Sequence, residues 1–415
     1  MRVELNRSLV LVLLAVASLF VLSAGNVAIA AEGAQPAQWR LIWKTDPATA
    51  ATLAWSTSIA GKQHRVHLQQ ADSEESEVVE AYRSGRYTGK SPELYYHFVK
   101  LEDLQPATKY WVEIESDGNR SPKMFFITAP KDDVPVSIIF GADSRSGLAE
   151  RRQVNGMIAS MVAESYQGDR VPVIAFAHGG DYIVRGTNLE QWSRWMSDHE
   201  LTVGKDGRLL PIIPARGNHD HGGIYNEVFA FPAGELENYY AINLGPQVRY
   251  VTLNSETSVA GDQAAWLEKE LKAGRPENRW LLTQYHTPVY PAVKRPGPNL
   301  LYWVPLFEEY NVDLVCEGDG HNIKRTAPIR ESKIDPTGVT YIGEGGLGVG
   351  QRTPDAERWY LRPPHGKVGS EHHVQLLTFG KEKLDYRVVL LGGKIFDEHA
   401  LAVRPADQRD LKASK

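Results

Sequence analysis

Leu210-Pro211-Ile212-Ile213-Pro214-Ala215-Arg216-Gly217-Asn218-His219-Asp220 is the stretch whose reading decides the fold. A short apolar run that stops at a Gly-Asn turn reads as a buried strand ending in a loop. The same arrangement recurs along the chain. Val136 to Phe140 runs into Gly141-Ala142-Asp143, and Pro172 to Ala177 leads to Gly180-Asp181. Trp280 to Gln284 precedes Tyr285-His286-Thr287-Pro288, and Val312 to Cys316 precedes Gly318-Asp319-Gly320-His321. Between these runs lie segments with helical patterning, Arg151 to Ser165, Leu189 to His199 and Asp262 to Ala273. Strands alternating with helices imply an α/β core, two sheets flanked by helices, in which ligands gather beyond the strand ends.

What stands at those strand ends is a set of oxygen and nitrogen donors: Asp143, Asp181, Asn218, His286, Asp319 and His321. Carboxylate, amide and imidazole suit hard-to-borderline cations rather than soft ones. A lone Asp after a strand is more often a turn former than a ligand, so each motif is weak by itself. In order, each behind an apolar run, they are specific. The donors are too numerous for one zinc that must keep an open position, so two metals are expected, with a carboxylate able to bridge them.

The rest of the chain sets the frame. Residues 36–130 carry short runs rich in β-branched and aromatic residues, such as Trp39 to Trp43, Ala51 to Ser56 and Lys109 to Ile114, and read as an all-β sandwich. Leu104-Gln105-Pro106-Ala107-Thr108-Lys109-Tyr110 resembles the turn-then-Tyr corner of fibronectin type III domains. Pro130 to Pro135 makes a linker, and the α/β domain spans 134–395. Strand-like runs over 338–400 are expected to complete a second sheet, and 396–415 a polar tail. Arg2 and Arg7 precede the apolar run Leu9 to Leu22, and Ala28-Ile29-Ala30 supplies a cleavage pattern. Residues 1–30 therefore read as a signal for export to a periplasmic or extracellular space, leaving no membrane span. A net charge of −5 argues against nucleic-acid binding. The single cysteine, Cys316, reads as a buried, inert thiol. The glycine-rich run Gly343 to Gly350 lacks the Gly-Lys-Ser/Thr of a phosphate loop and reads as a mobile loop near the site.

Residues 36–395 resemble a purple acid phosphatase: a fibronectin-like N-terminal domain followed by a calcineurin-like metallophosphoesterase domain. The resemblance rests on Gly217-Asn218-His219-Asp220, Tyr285-His286-Thr287-Pro288-Val289-Tyr290 and His321-Asn322-Ile323-Lys324-Arg325-Thr326, with support from Leu253-Asn254-Ser255 and Gln263 to Leu267. It implies that Asp143, Asp181 and His321 hold a first metal. Asp181, as the bridge, holds a second with Asn218 and His286. His219 then faces substrate, to stabilise the phosphoryl group or protonate the leaving alcohol.

Three departures alter this picture. Asp319 stands where the family carries a histidine ligand of the second metal, and is expected to ligate in its place. Val184 stands where the purple enzymes carry the tyrosine that colours them, so a ferric–phenolate bond is not expected from Tyr182. Arg145 stands where many non-purple relatives place a histidine ligand, and is expected either to grip a substrate phosphate or to pair with Asp143 or a neighbour. Lys294 and Arg295 are positioned to attract an anion or to stay solvated. The resemblance implies a metal-dependent hydrolase of small phosphate monoesters. It would use two divalent or mixed-valence ions (Fe, Zn or Mn) and metal-bound hydroxide. The alternatives are a phosphodiesterase on the same site and a catalytically weakened binding protein on this fold.

Overall fold

The computed structural model describes residues 34–234, 237–405 and 409. The expected export signal and the end of the expected tail lie outside them.

The N-terminal domain is a two-sheet sandwich. One sheet contains Ala37–Ile42, Ala51–Thr57, Tyr95–Leu101 and Arg83–Arg86. The other is built on His64–Gln70 and Lys109–Ser116, flanked by Glu77–Glu80 and Met124–Ile127. Alternate residues Leu53, Trp55, Val66, Leu68, Val112 and Ile114 point inward, as the period-two pattern requires. The Tyr110 hydroxyl accepts the Gln105 N–H at 2.8 Å, the expected corner.

The α/β domain has four layers. Val136–Gly141, Val173–His178 and Ile212–Pro214 run parallel in one sheet. Val248–Thr252, Trp280–Tyr285, Leu314–Glu317 and Thr340–Gly343 run parallel in the other. These central strands are almost wholly buried because both faces are covered. Ile138, Phe140, Ala175, Leu282, Cys316 and Ile342 fill the space between the sheets. The opposite pleats pack on helices. Ile139 and Phe176 meet Val154, Ile158, Trp192 and Trp195 on Leu148–Ser165 and Leu189–His199. Leu281 and Val315 meet Leu267, Leu271 and Phe307 on the far side. Burying a large apolar side chain contributes about 1.5–3 kcal/mol, so these alternating pleats supply most of the stability. Cys316 is buried as expected, its thiol pushed up by burial.

Three features differ from the sequence reading. Thr340–Gly343 and the short Lys367–Gly369 join the second sheet as expected, but His373–Phe379, Lys383–Leu390 and Ile395–Ala402 extend the first, starting antiparallel to Val136–Gly141. Local pattern marks a strand but not its partner, because pairing is set by burial across the fold. Second, Ile395–Ala402 is a paired strand, so the sheet takes in the start of the expected tail. Third, the sandwich is not separate. Ile42 pairs with Ile212, and the Trp43 N–H donates to the Ile212 carbonyl at 3.0 Å. The two domains thereby share one ten-stranded sheet, which covers an edge that would otherwise be exposed. Among the described residues, no helix is long and apolar enough to cross a membrane.

Candidate metal centre

The strand ends bring the expected donors together. Asp143 follows the strand ending at Gly141, Asp181 the one ending at His178, Asn218 the one ending at Pro214 and His286 the one ending at Tyr285. Donor atoms of Asp143, Asp181 and His286 lie within 4.8 Å of one another, all three residues being buried. The loops can meet because they carry glycine where they touch. A β-carbon on Gly180, whose φ is 98°, would come within 2.7 Å of the Gly217 nitrogen; one on Gly217 would come within 2.4 Å of the Asp181 nitrogen. Asp143, Asp181, Asp319 and His321 all adopt φ between 59° and 70°. Holding four non-glycine residues there costs about 1 kcal/mol or more each and persists only where surroundings enforce it.

One enforcing residue is Asp220, which the sequence reading left without a role. Its carboxylate accepts from the backbone N–H groups of Asp181 at 2.8 Å, Tyr182 at 3.0 Å and Gly217 at 2.8 Å, locking two donor loops together. Burial and the nearby Asp181 push its carboxyl up to about 8, against the pull of those N–H donors. The sequence signal was there: an Asp closing Gly-Asn-His-Asp is suited to tie backbone amides.

Four donors converge on one point. His286 Nε2 is 3.2 Å from Asp181 Oδ1, 3.2 Å from Asn218 Oδ1 and 3.8 Å from Asp319 Oδ1. His286 Nδ1 donates to the Gly179 carbonyl at 2.9 Å, which aims Nε2 into the cluster. Burial works against charge on His286, but Asp181, hydrogen-bonded to it, with Asp143 and Asp319, raises the imidazole well above its ordinary range. Burial likewise works against charge on Asp181, yet His286 and the His219 N–H bring it below the usual carboxylate range. The donor set fits a cation of the expected class. Asp319 is shared: Lys294 Nζ bonds its Oδ1, so Lys294 is tied to the site whereas Arg295 is exposed.

The other donors form a second, different cluster. Asp143 Oδ1 lies 3.2 Å from His321 Nε2 and, though buried, has no hydrogen-bond donor. Arg145, expected to grip a substrate phosphate or to pair with Asp143 or a neighbour, forms an ion pair with the neighbouring Asp181 and so spans the donors themselves. Its Nε bonds Asp181 Oδ2 at 3.0 Å and its Nη2 lies 3.2 Å from His321 Nε2. Guanidinium only donates, so His321 Nε2 is the acceptor. Two acceptors facing each other at 3.2 Å, one of them without a donor, is an arrangement that calls for a cation. Asp143, Asp181 and His321 would supply the right donors, but a guanidinium sits among them.

His219 stands beside both clusters. Its backbone N–H donates to Asp181 Oδ1 at 3.0 Å, and its Nδ1 donates to the Val184 carbonyl at 2.7 Å, leaving Nε2 facing outward. Tyr182 points away from the donors into the core, its hydroxyl donating to the His178 carbonyl at 3.2 Å and its ring stacked on His178. The glycine-rich run, expected as a mobile loop, is buried from Gly343 to Val349 and tied down: Gly346, Leu347 and Gly348 donate to the carbonyls of Ala142 and Asp143. Glycine is needed there because a β-carbon on Gly345 would overlap Asp143 Oδ2 at 2.0 Å. Arg352, missed by the sequence reading, joins the rim through the Asp319 carbonyl at 3.1 Å, and no local motif marks it.

Residues 36–128 match the family model described as "Purple acid Phosphatase, N-terminal domain", and residues 167–322 the model described as "Calcineurin-like phosphoesterase". An uncharacterized protein of Mycobacterium tuberculosis is 26% identical over 350 residues, 74% of this chain and 62% of the relative. "Fe(3+)-Zn(2+) purple acid phosphatase 12" of Arabidopsis thaliana is 26% identical over 60% of this chain and 55% of the relative. The chain thus spans about three fifths of the length of the curated relatives it matches. Purple acid phosphatase from yellow lupin (Lupinus luteus) seeds superposes with a TM-score of 0.74 at 16% identity, covering 90% of this chain and 75% of that one.

Proposed function

We propose that this chain, a purple acid phosphatase-like member of the calcineurin-like metallophosphoesterases, is an exported metal-dependent hydrolase of small phosphate monoesters. One observation carries the reading: Asp181, Asn218, His286 and Asp319 converge on a single point, with His219 alongside. Divalent or mixed-valence cations (Fe, Zn or Mn) held by these residues and by Asp143 and His321 would acidify a coordinated water and offset charge on the phosphoryl oxygens.

The chain's own residues supply positioning. Asp181 presents one oxygen to each cluster, as a bridging carboxylate must. His219 is held in one tautomer by the Val184 carbonyl, so its Nε2 is available at the substrate side to assist the leaving oxygen. Lys294 and Arg352 line the rim near Asp319 and attract an anionic substrate. The core position of Tyr182 supports a preparation without purple colour, even when iron is bound.

The test is hydrolysis of p-nitrophenyl phosphate and its bis ester with added manganese, zinc or iron. Faster turnover of the monoester supports the proposal; preference for the bis ester moves the assignment to a phosphodiesterase. A second reading, a catalytically weakened binding protein, draws on Arg145 and Lys294 occupying donor oxygens. Absence of bound metal and of turnover with all three metals leaves that reading standing.

A further inference from the structure

The hydrogen bonds of Arg145 carry more than a substrate contact. Resting on the metal-dependent reading above, we infer that Arg145 is an exchangeable counter-ion at the first cation position, displaced by the metal and released toward substrate phosphate.

The geometry is specific. The guanidinium contacts two of the three donors of that position, Asp181 Oδ2 at 3.0 Å and His321 Nε2 at 3.2 Å. The third donor, Asp143 Oδ1, is buried and has no donor. A guanidinium thus satisfies part of the cluster and leaves the remainder suited to a cation. Both cannot reside there together, because guanidinium does not coordinate metals and two positive charges about 4 Å apart repel strongly away from water.

Only the side chain has to move. The flanking backbone is fixed by Ser144 N–H donating to the Asp181 carbonyl at 3.0 Å and by Ser146 and Gly147 donating to Gly348 at 3.0 and 2.7 Å. The Arg145 side chain is 15% exposed while Asp181 is 0% exposed, so the guanidinium lies on the solvent side of the bridge. A cavity of about 190 Å³ adjoins it; Val184 and Gln191 line it beside Arg145, as do Arg151 and Arg194, which are paired with Asp198 and Glu190. Val184 also carries the carbonyl that orients His219, so the displaced guanidinium stays beside the substrate-facing imidazole. There its planar donors match two phosphoryl oxygens.

The consequence is ordered loading: the pocket at His286 fills first, and the first-position metal must compete with Arg145. The test uses the full chain stripped by chelation and dialysed against graded free Mn²⁺, with metal per chain measured by elemental analysis. Wild type is expected to take one equivalent, then a second at a free Mn²⁺ at least about fivefold higher, the lower end of typical coupling. Arg145→Gln, close in size but neutral, is expected to close that gap. Once loaded with metal, it should also bind inorganic phosphate at least about fivefold more weakly. Stepwise uptake unchanged in Arg145→Gln overturns the inference, as does a wild type that refuses the second equivalent at every concentration. No uptake by either protein removes the metal-dependent reading itself. Circular dichroism of the stripped variant separates these outcomes from misfolding, and Arg145→Lys, which keeps the charge, should retain the gap.

Discussion

The two halves of the candidate metal centre share one carboxylate and differ in almost everything else. Around Asp181 Oδ1, four donors face one point, and the surrounding carboxylates raise the His286 imidazole above its ordinary range. Around Asp181 Oδ2, a guanidinium bridges two donors and a third is left unsatisfied. The first arrangement has its donors already facing one point, with Lys294 on Asp319 at its margin. The second is already charge-compensated and must give up a side chain. Equivalent strand-end positions therefore yield unequal sites, because one residue, Arg145, competes for the shared carboxylate.

The largest expected effect separates the halves outright. Loss of an outer partner of a metal ligand typically costs 10–100-fold, so His286→Ala should lower p-nitrophenyl phosphate turnover by more than about 100-fold and abolish tight metal uptake. His321→Ala should leave the tight equivalent in place. Equal loss of tight uptake in both variants would break the asymmetry.

His219→Ala comes next, with about a 100-fold loss toward an alkyl phosphate. The loss should be much smaller toward p-nitrophenyl phosphate, whose leaving group needs little protonation. Equal losses on both substrates would assign His219 to phosphoryl binding instead.

The third effect is a proton. The metal-free His286 imidazole is raised well above its ordinary value, so it is charged at neutral pH and must deprotonate to ligate. Metal uptake in this pocket should therefore release close to one proton, and affinity should rise with pH, about tenfold per unit while His286 remains protonated. Titration calorimetry in buffers of different ionisation enthalpy reads this directly.

The smallest effect is expected at Lys294. Its side chain is 38% exposed and its ammonium pairs with Asp319, and such partly solvated pairs contribute about 0–1 kcal/mol. Lys294→Met should tighten the first equivalent of metal by no more than about fivefold. A larger gain would mean that Asp319 is withheld from the metal by Lys294.

Much of this asymmetry was legible in the chain, but not all. Each donor could be read because an apolar run followed by a polar turn fixes where a strand ends. Arg145 and Asp319 could be singled out because they interrupt a pattern. That Arg145 would bond the bridging carboxylate depends on loops 36 residues apart in sequence, which no local spacing encodes. The same limit hid the pairing of Ile42 with Ile212 and the assignment of His373–Phe379 to the first sheet. Asp220 was visible as part of a motif, yet its three backbone bonds emerge only when two loops are brought together.

The most direct test of the metal-dependent reading is to strip the full chain with a chelator and follow p-nitrophenyl phosphate hydrolysis as Mn²⁺, Zn²⁺ or Fe²⁺ is returned, with metal per chain measured in parallel. Activity should vanish on stripping and return with the metal, and His286→Ala should fail to recover it. Hydrolysis indifferent to chelation, or full recovery in His286→Ala, would contradict the account.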